Sequence, residues 1–145
     1  MRTANEDDFD LLAELWHESA SLPGVGPAIM PPLPDLRERM TREVANGWRV
    51  TVAILAGEVA GFLALKPETS LLDQLFVRPQ FLGLGVGKRL FEEAKVAMPR
   101  GFTLHTAATN DRARAFYERA DMRFFKKQAH PRFGHPIVWY RWPST

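Results

Sequence analysis

Apolar positions along this chain change their spacing repeatedly, and each change marks a predicted element. Phe9, Leu12, Leu15 and Trp16 recur at helical spacing within Asp7 to Ser19, so an amphipathic helix is expected there, after a short first strand over Met1 to Ala4. Five prolines and two glycines then fill Ser21 to Pro34, which reads as a loop, and Asp35 opens a second helix running to about Asn46-Gly47. Trp48 to Leu55 and Glu58 to Lys66 alternate as strands around Ala56-Gly57, a hairpin signature. Leu71 to Val77 is a further apolar strand, stopped by Pro79. Val86, Leu90, Ala94 and Met98 line one face of a third helix, Phe102 to Ala107 forms another strand, and Asn110 caps a fourth helix. Arg123 to Arg141 reads as a closing hairpin through Arg132-Phe133-Gly134, and no repeat or low-complexity tract interrupts the series.

The most specific chemistry lies where the strand over Leu71 to Val77 passes into the third helix, in LLDQLFVRPQFLGLGVGKRL. Gly83, Gly85 and Gly87 have no Cβ, so the backbone there can turn sharply and bring several N–H groups against a ligand. The helix that follows starts near Val86 with unpaired N–H groups, and Lys88 and Arg89 add positive charge. A pyrophosphate suits such a cradle. A Walker-type phosphate loop is excluded, because Gly87-Lys88 is followed by Arg89 and the first glycine position holds Leu82. A dinucleotide-binding turn is excluded as well: the glycines are spaced Gly-x-Gly-x-Gly in mid-chain, and Thr103 to Thr109 offers no carboxylate for a ribose.

The segment resembles the acyl-CoA loop of the GNAT N-acetyltransferase superfamily, with Val77, Pro79, Gly83, Gly85, Gly87 and Leu90 at the matching places. Leu82 falls where the family usually carries Arg or Gln. A second stretch, Asn110 to Glu118 (NDRARAFYE), is similar to the family's Asn-x-x-Ala-x-x-Phe-Tyr-Glu, while Asp121-Met122 stand where a Gly-Phe pair is usual. The likeness covers nearly the whole chain, with Leu71 to Met122 carrying most of its specificity. It implies one α/β (α+β) domain over residues 1–145, with a central mixed, mostly antiparallel sheet of about six to seven strands flanked by about four helices. It also implies acetyl-CoA as co-substrate and transfer to a primary amine. The implied cofactor contacts are Leu75, Phe76, Val77, Leu82, Gly83, Leu84, Gly85, Val86, Gly87, Lys88, Asn110 and Phe116, and no metal is assigned.

Composition is consistent with one globular domain: 145 residues, 46% hydrophobic and 25% charged. The chain has no cysteine, which excludes disulfides, a thiolate zinc site and a covalent acetyl-cysteine, so transfer is expected to run directly in a ternary complex. The formal charge of +2 is unevenly spread. Residues 1–70 carry 6 basic and 11 acidic side chains and residues 71–145 carry 13 and 6, so the half with the glycine loop is cationic. That draws a polyanionic cofactor to one half and a cationic amine to the other. The basic residues are interspersed with acids, which argues against nucleic acid. The acidic N-terminal stretch is unlike a signal peptide, and no apolar run approaches membrane-spanning length, so the expectation is a cytoplasmic enzyme that does not engage a membrane. A homodimer is left open.

Acetyl transfer requires a deprotonated amine, hydrogen-bond donors for the carbonyl oxygen, and an acid for the leaving thiolate. On the helix after Asn110, Phe116 is expected to face the core and Tyr117, about 100° round, the helix edge. The resemblance implies that Tyr117 is the general acid, near pKa ~10 against ~8.5 for a thiol. Asn110 either contacts the pantetheine or caps its helix. The resemblance implies an oxyanion donor from backbone N–H near Phe76 or Val77, at a bulge in the central strand. For the base, Asp73 shares strand parity with Leu75 and Val77, with His130, His135, His17, Glu58 or water as alternatives. The proline-rich loop with Trp16, His17 and Met30, together with the Phe133 to Trp142 hairpin, is expected to wall an acceptor cleft that fits a small amine or a peptide N-terminus. Trp48, Trp139 and Trp142 are either core residues or contacts for an aromatic acceptor. The alternative of another class is a catalytically silent CoA-binding sensor or regulatory module, for which Leu82 and Asp121 are the motivating departures.

Overall fold

The computed structural model describes residues 1–145. In chain order the elements are β1 (Arg2–Thr3), α1 (Phe9–Ala20), α2 (Leu33–Ala45), β2 (Arg49–Leu55), β3 (Glu58–Lys66), β4 (Leu71–Val77), α3 (Val86–Ala97), β5 (Phe102–Ala107), α4 (Asp111–Arg119), β6 (Arg123–Ala129) and β7 (Pro136–Trp142). The strands form one seven-stranded sheet in the order β1-β2-β3-β4-β5-β7-β6. Neighbours are antiparallel except β4 and β5, which run parallel because α3 returns the chain between them. The elements fall close to the hydrophobic pattern. α2 begins two residues before Asp35, since Pro34 sits in the first turn, where its missing N–H costs nothing. The β2–β3 turn is made by Ala56 and Gly57, both with positive φ (52° and 79°), as a two-residue hairpin requires.

β3 is buried on both faces, and its side chains divide the interior into two cores. Leu63 and Leu65 join Leu72, Leu90, Phe91, Leu104 and Tyr117 beneath α3 and α4. Phe62 and Ala64 join Leu12, Leu15, Trp16, Met40 and Trp48 beneath α1 and α2. The end of α4 departs from expectation. Asp121 takes the left-handed position (φ 62°) normally given to glycine, and the Met122 N–H donates to the Tyr117 carbonyl at 3.3 Å, so the cap is complete without glycine. Ser144 Oγ donates to Asp121 Oδ1 at 2.6 Å and helps hold it there. No helix is long and apolar enough to cross a membrane.

Candidate active site

Parallel pairing of β4 with β5 is confined to Leu71 opposite Thr103; beyond that point the two strands separate. The fork opens a cavity of about 620 Å³ that reaches both sides of the sheet. The orientation of the β4 backbone follows from its register against β3. The Arg78 N–H donates to the Ala60 carbonyl at 2.7 Å, so alternate residues, Gln74 and Phe76 among them, direct their amides to β3. Leu75 and Val77 therefore turn theirs to the open fork. Ser19 Oγ donates to the Val77 carbonyl at 3.2 Å from that side, in keeping with this alternation. Of the two expected oxyanion positions, Val77 has its amide available and Phe76 does not. The bulge falls earlier than expected: Leu72 pairs with Leu65 and Gln74 with Ala64, leaving Asp73 as the extra residue.

At the mouth of the fork, Gly83 (φ 82°) and Gly85 (φ 83°) adopt left-handed backbone, and nothing lies within 4 Å of where a Cβ would stand on either. Gly87 works differently. It occupies the first turn of α3, and a Cβ there would project over a floor of Val77, Phe116 and Leu75 at 3.6–4.0 Å. Leu82, Val86 and Lys88 also border the cavity, whereas Leu84 does not and is 63% exposed. This arrangement fits an elongated polyanion: space where side chains are missing, a helix N-terminus beneath it, and unpaired strand amides leading inward.

On α4 Phe116 packs against the core as expected, but Tyr117 is not at the helix edge. Tyr117 is buried at 7% exposure and Phe116 only partly: the two flank the apolar stripe of Ala113 and Ala120, and packing of α4 on the core covers the tyrosine side more fully. The Tyr117 ring packs against Phe91, Phe116 and Tyr140 with centroids 6.2, 5.4 and 5.9 Å away, and the residue still borders the cavity. Burial raises its pKa, so the phenol keeps its proton at neutral pH. Asn110 caps α4, accepting from the Ala113 N–H at 3.2 Å while its amide donates to Thr106 Oγ1 at 3.3 Å, and it too borders the cavity.

The far end of the cavity lies on the α1/α2 side of the sheet. Because of the bulge, Asp73 does not share a face with Leu75 and Val77. It turns to the opposite side, where Trp48 Nε1 donates to its Oδ2 at 2.8 Å and Lys66 Nζ lies 3.9 Å away. Three imidazoles border the same space: His105, His130 and His135. His130 and His135 stack with centroids 4.9 Å apart, and His105 lies 5.7 Å from His130. His130 Nδ1 accepts from the Arg132 and Phe133 N–H groups at 3.0 and 3.1 Å, which places its proton on Nε2. Burial, then the neighbouring imidazoles and guanidinium groups, lower its pKa to about 4. Burial lowers His105 and His135 as well, with Asp73 opposing the shift at His105. His17 and Glu58, proposed from sequence, do not border the cavity, and neither does Trp139 or Trp142. Trp48 is 3% exposed and Trp142 stacks on Phe102 at 5.3 Å. His105 and Arg39 escaped sequence reasoning. The alternation of β5 could have revealed the first, since His105 faces away from buried Phe102 and Leu104; nothing local marks the second.

Residues 11–122 match the acetyltransferase (GNAT) family. The chain belongs to that family. It is accordingly an acetyl-CoA-dependent N-acetyltransferase. An uncharacterised N-acetyltransferase from Archaeoglobus fulgidus is 30% identical, the match covering 85% of this chain and 92% of that one. Among solved structures, a ribosomal-protein-alanine N-acetyltransferase from Brucella melitensis superposes with a TM-score of 0.74 at 18% identity, covering 97% of this chain and 96% of the other. YncA from Salmonella typhimurium, solved with its cofactor acetyl-CoA, does so with a TM-score of 0.74 at 12% identity, covering 99% and 92%. At these identities the structures establish a shared fold.

Proposed function

We propose that the protein moves the acetyl group of acetyl-CoA directly to the primary amine of a small molecule or peptide, with both held in the fork between β4 and β5. The observation that carries this reading is the continuity of the site: the glycine cradle, the open β4 edge, Tyr117 and Asp73 all border one cavity. When bound, acetyl-CoA supplies an activated acyl group and a thiol leaving group. Main-chain amides of the Gly83 to Lys88 segment hold the pyrophosphate, and the Leu75 amide, turned to the same side, pairs with the extended arm. The Val77 N–H donates to the carbonyl oxygen as it gains charge, a contribution that oriented amides make in a water-poor site.

Tyr117 hands its proton to the departing sulfur. Burial makes that donation harder, but the same desolvation destabilises the thiolate, so the two costs offset. Asp73 takes the proton from the incoming ammonium, directly or through water, with His105 as a neutral neighbour able to relay it. The Leu82 departure matters little on this reading, since backbone makes most of the cradle. Titrating acetyl-CoA calorimetrically and following thiol release with a panel of amines tests the proposal. Saturable binding with turnover on at least one amine is expected. Tight binding without turnover on any amine would favour the sensor module instead.

A further inference from the structure

The acceptor end of the cavity contains a cation that no protein group neutralises directly. Arg39, on α2, lies with its guanidinium carbon 5.1 Å from the centroid of Trp16 and borders both the main cavity and an adjoining groove whose other charged residues are Asp35, Glu38, Arg42 and Arg132. None of the chain's ion pairs includes it. Asp73 already accepts from Trp48 and lies near the Lys66 ammonium, which is itself 3.2 Å from Glu43. An arginine fork that is half-buried, stacked on an indole and without a carboxylate within 4 Å is prepared to receive one in bidentate geometry. His135 Nδ1, buried without a partner, adds a polar atom to the same end. The charges differ from those expected for a polyamine pocket, where carboxylates would outnumber cations.

Building on the transferase reading, we infer that the acceptor is an amine that also carries a carboxylate, of the amino-acid type, with Arg39 holding the carboxylate and Asp73 the ammonium end. Arg39 is thus a specificity-determining residue outside the cofactor site. In the test, kcat/KM is measured for free amino acids, for the same compounds as C-terminal amides, and for polyamines. Binding of the free acids and amides to the CoA-loaded protein is followed calorimetrically in parallel. The expected result is a preference for acid over amide of about 10-fold or more, expressed mainly in KM, with polyamines below both. Arg39→Gln should collapse the acid-to-amide ratio toward one, and Arg39→Lys should retain part of it, while both variants bind acetyl-CoA as the parent does. Equal use of acid and amide, a preference for polyamines, or neither turnover nor binding of any carboxylate would overturn the inference. Turnover confined to amines lacking a carboxylate would leave the transferase reading standing without it, and absent turnover on every amine despite acetyl-CoA binding would count against both.

Discussion

The two ends of the cavity are built from different materials. At the end proposed for the cofactor the cavity offers main chain: glycines with no side chain, the first turn of α3, and strand amides freed because β4 and β5 part after a single paired position. At the acceptor end they are side chains drawn from α1, α2, β4, β5 and the β6–β7 loop: Trp16, Arg39, Asp73, His105 and His130. The first end depends on backbone geometry and accepts many sequences around its glycines. The second depends on which residue occupies each position, so a single substitution can change what the enzyme accepts.

Experiments can break or sharpen this contrast. If Tyr117 is the general acid, as proposed, Tyr117→Phe should lower kcat by about 100- to 1,000-fold, the scale of general-acid catalysis, with acetyl-CoA affinity nearly unchanged in calorimetry. At the cofactor end, Gly85→Val places a β-branched residue at φ 83°, and acetyl-CoA affinity should fall about 100-fold through strain and occlusion. Lys88→Ala, which removes only a side chain, should weaken it by no more than about 5-fold. A reversed order for this pair would mean that side chains, not main chain, hold the pyrophosphate. At the acceptor end, Asp73→Asn should cost about 10- to 100-fold in kcat/KM for the amine and little in acetyl-CoA binding.

The smallest effect concerns stability. His130 has a native pKa of about 4, below its ordinary ~6.5, so the folded loop binds fewer protons than the unfolded chain. Its contribution is fully present above pH ~6.5 and is lost as pH falls toward 4, where protonating Nδ1 competes with the two backbone N–H groups it accepts. Tm should decline across that window, and His130→Asn, whose side chain can accept from the same amides, should flatten the decline. An unchanged slope in the variant would assign the effect to other groups.

Legibility in the sequence followed the same division. Phe102 to Ala107 and Leu71 to Val77 could be located because strand periodicity is local, and the glycine loop because a missing Cβ is a property of the residue itself. The Asn110 cap was legible for the same reason, since donor and acceptor lie three residues apart. Asp73 was assigned to the wrong face because one bulged residue inverts side-chain parity, and pairing with β3 creates that bulge. Burial of Tyr117 rather than Phe116 was decided by how α4 lies on α3 and the sheet. Arg39 and His105 are 66 residues apart in sequence and come to one wall only when α2 packs over one face of the sheet. By itself, then, the sequence determined the elements, the cradle and the family, all written in contacts a few residues long. The acceptor wall, the side Asp73 faces and the opening between β4 and β5 were left to tertiary packing, because each depends on distant segments meeting.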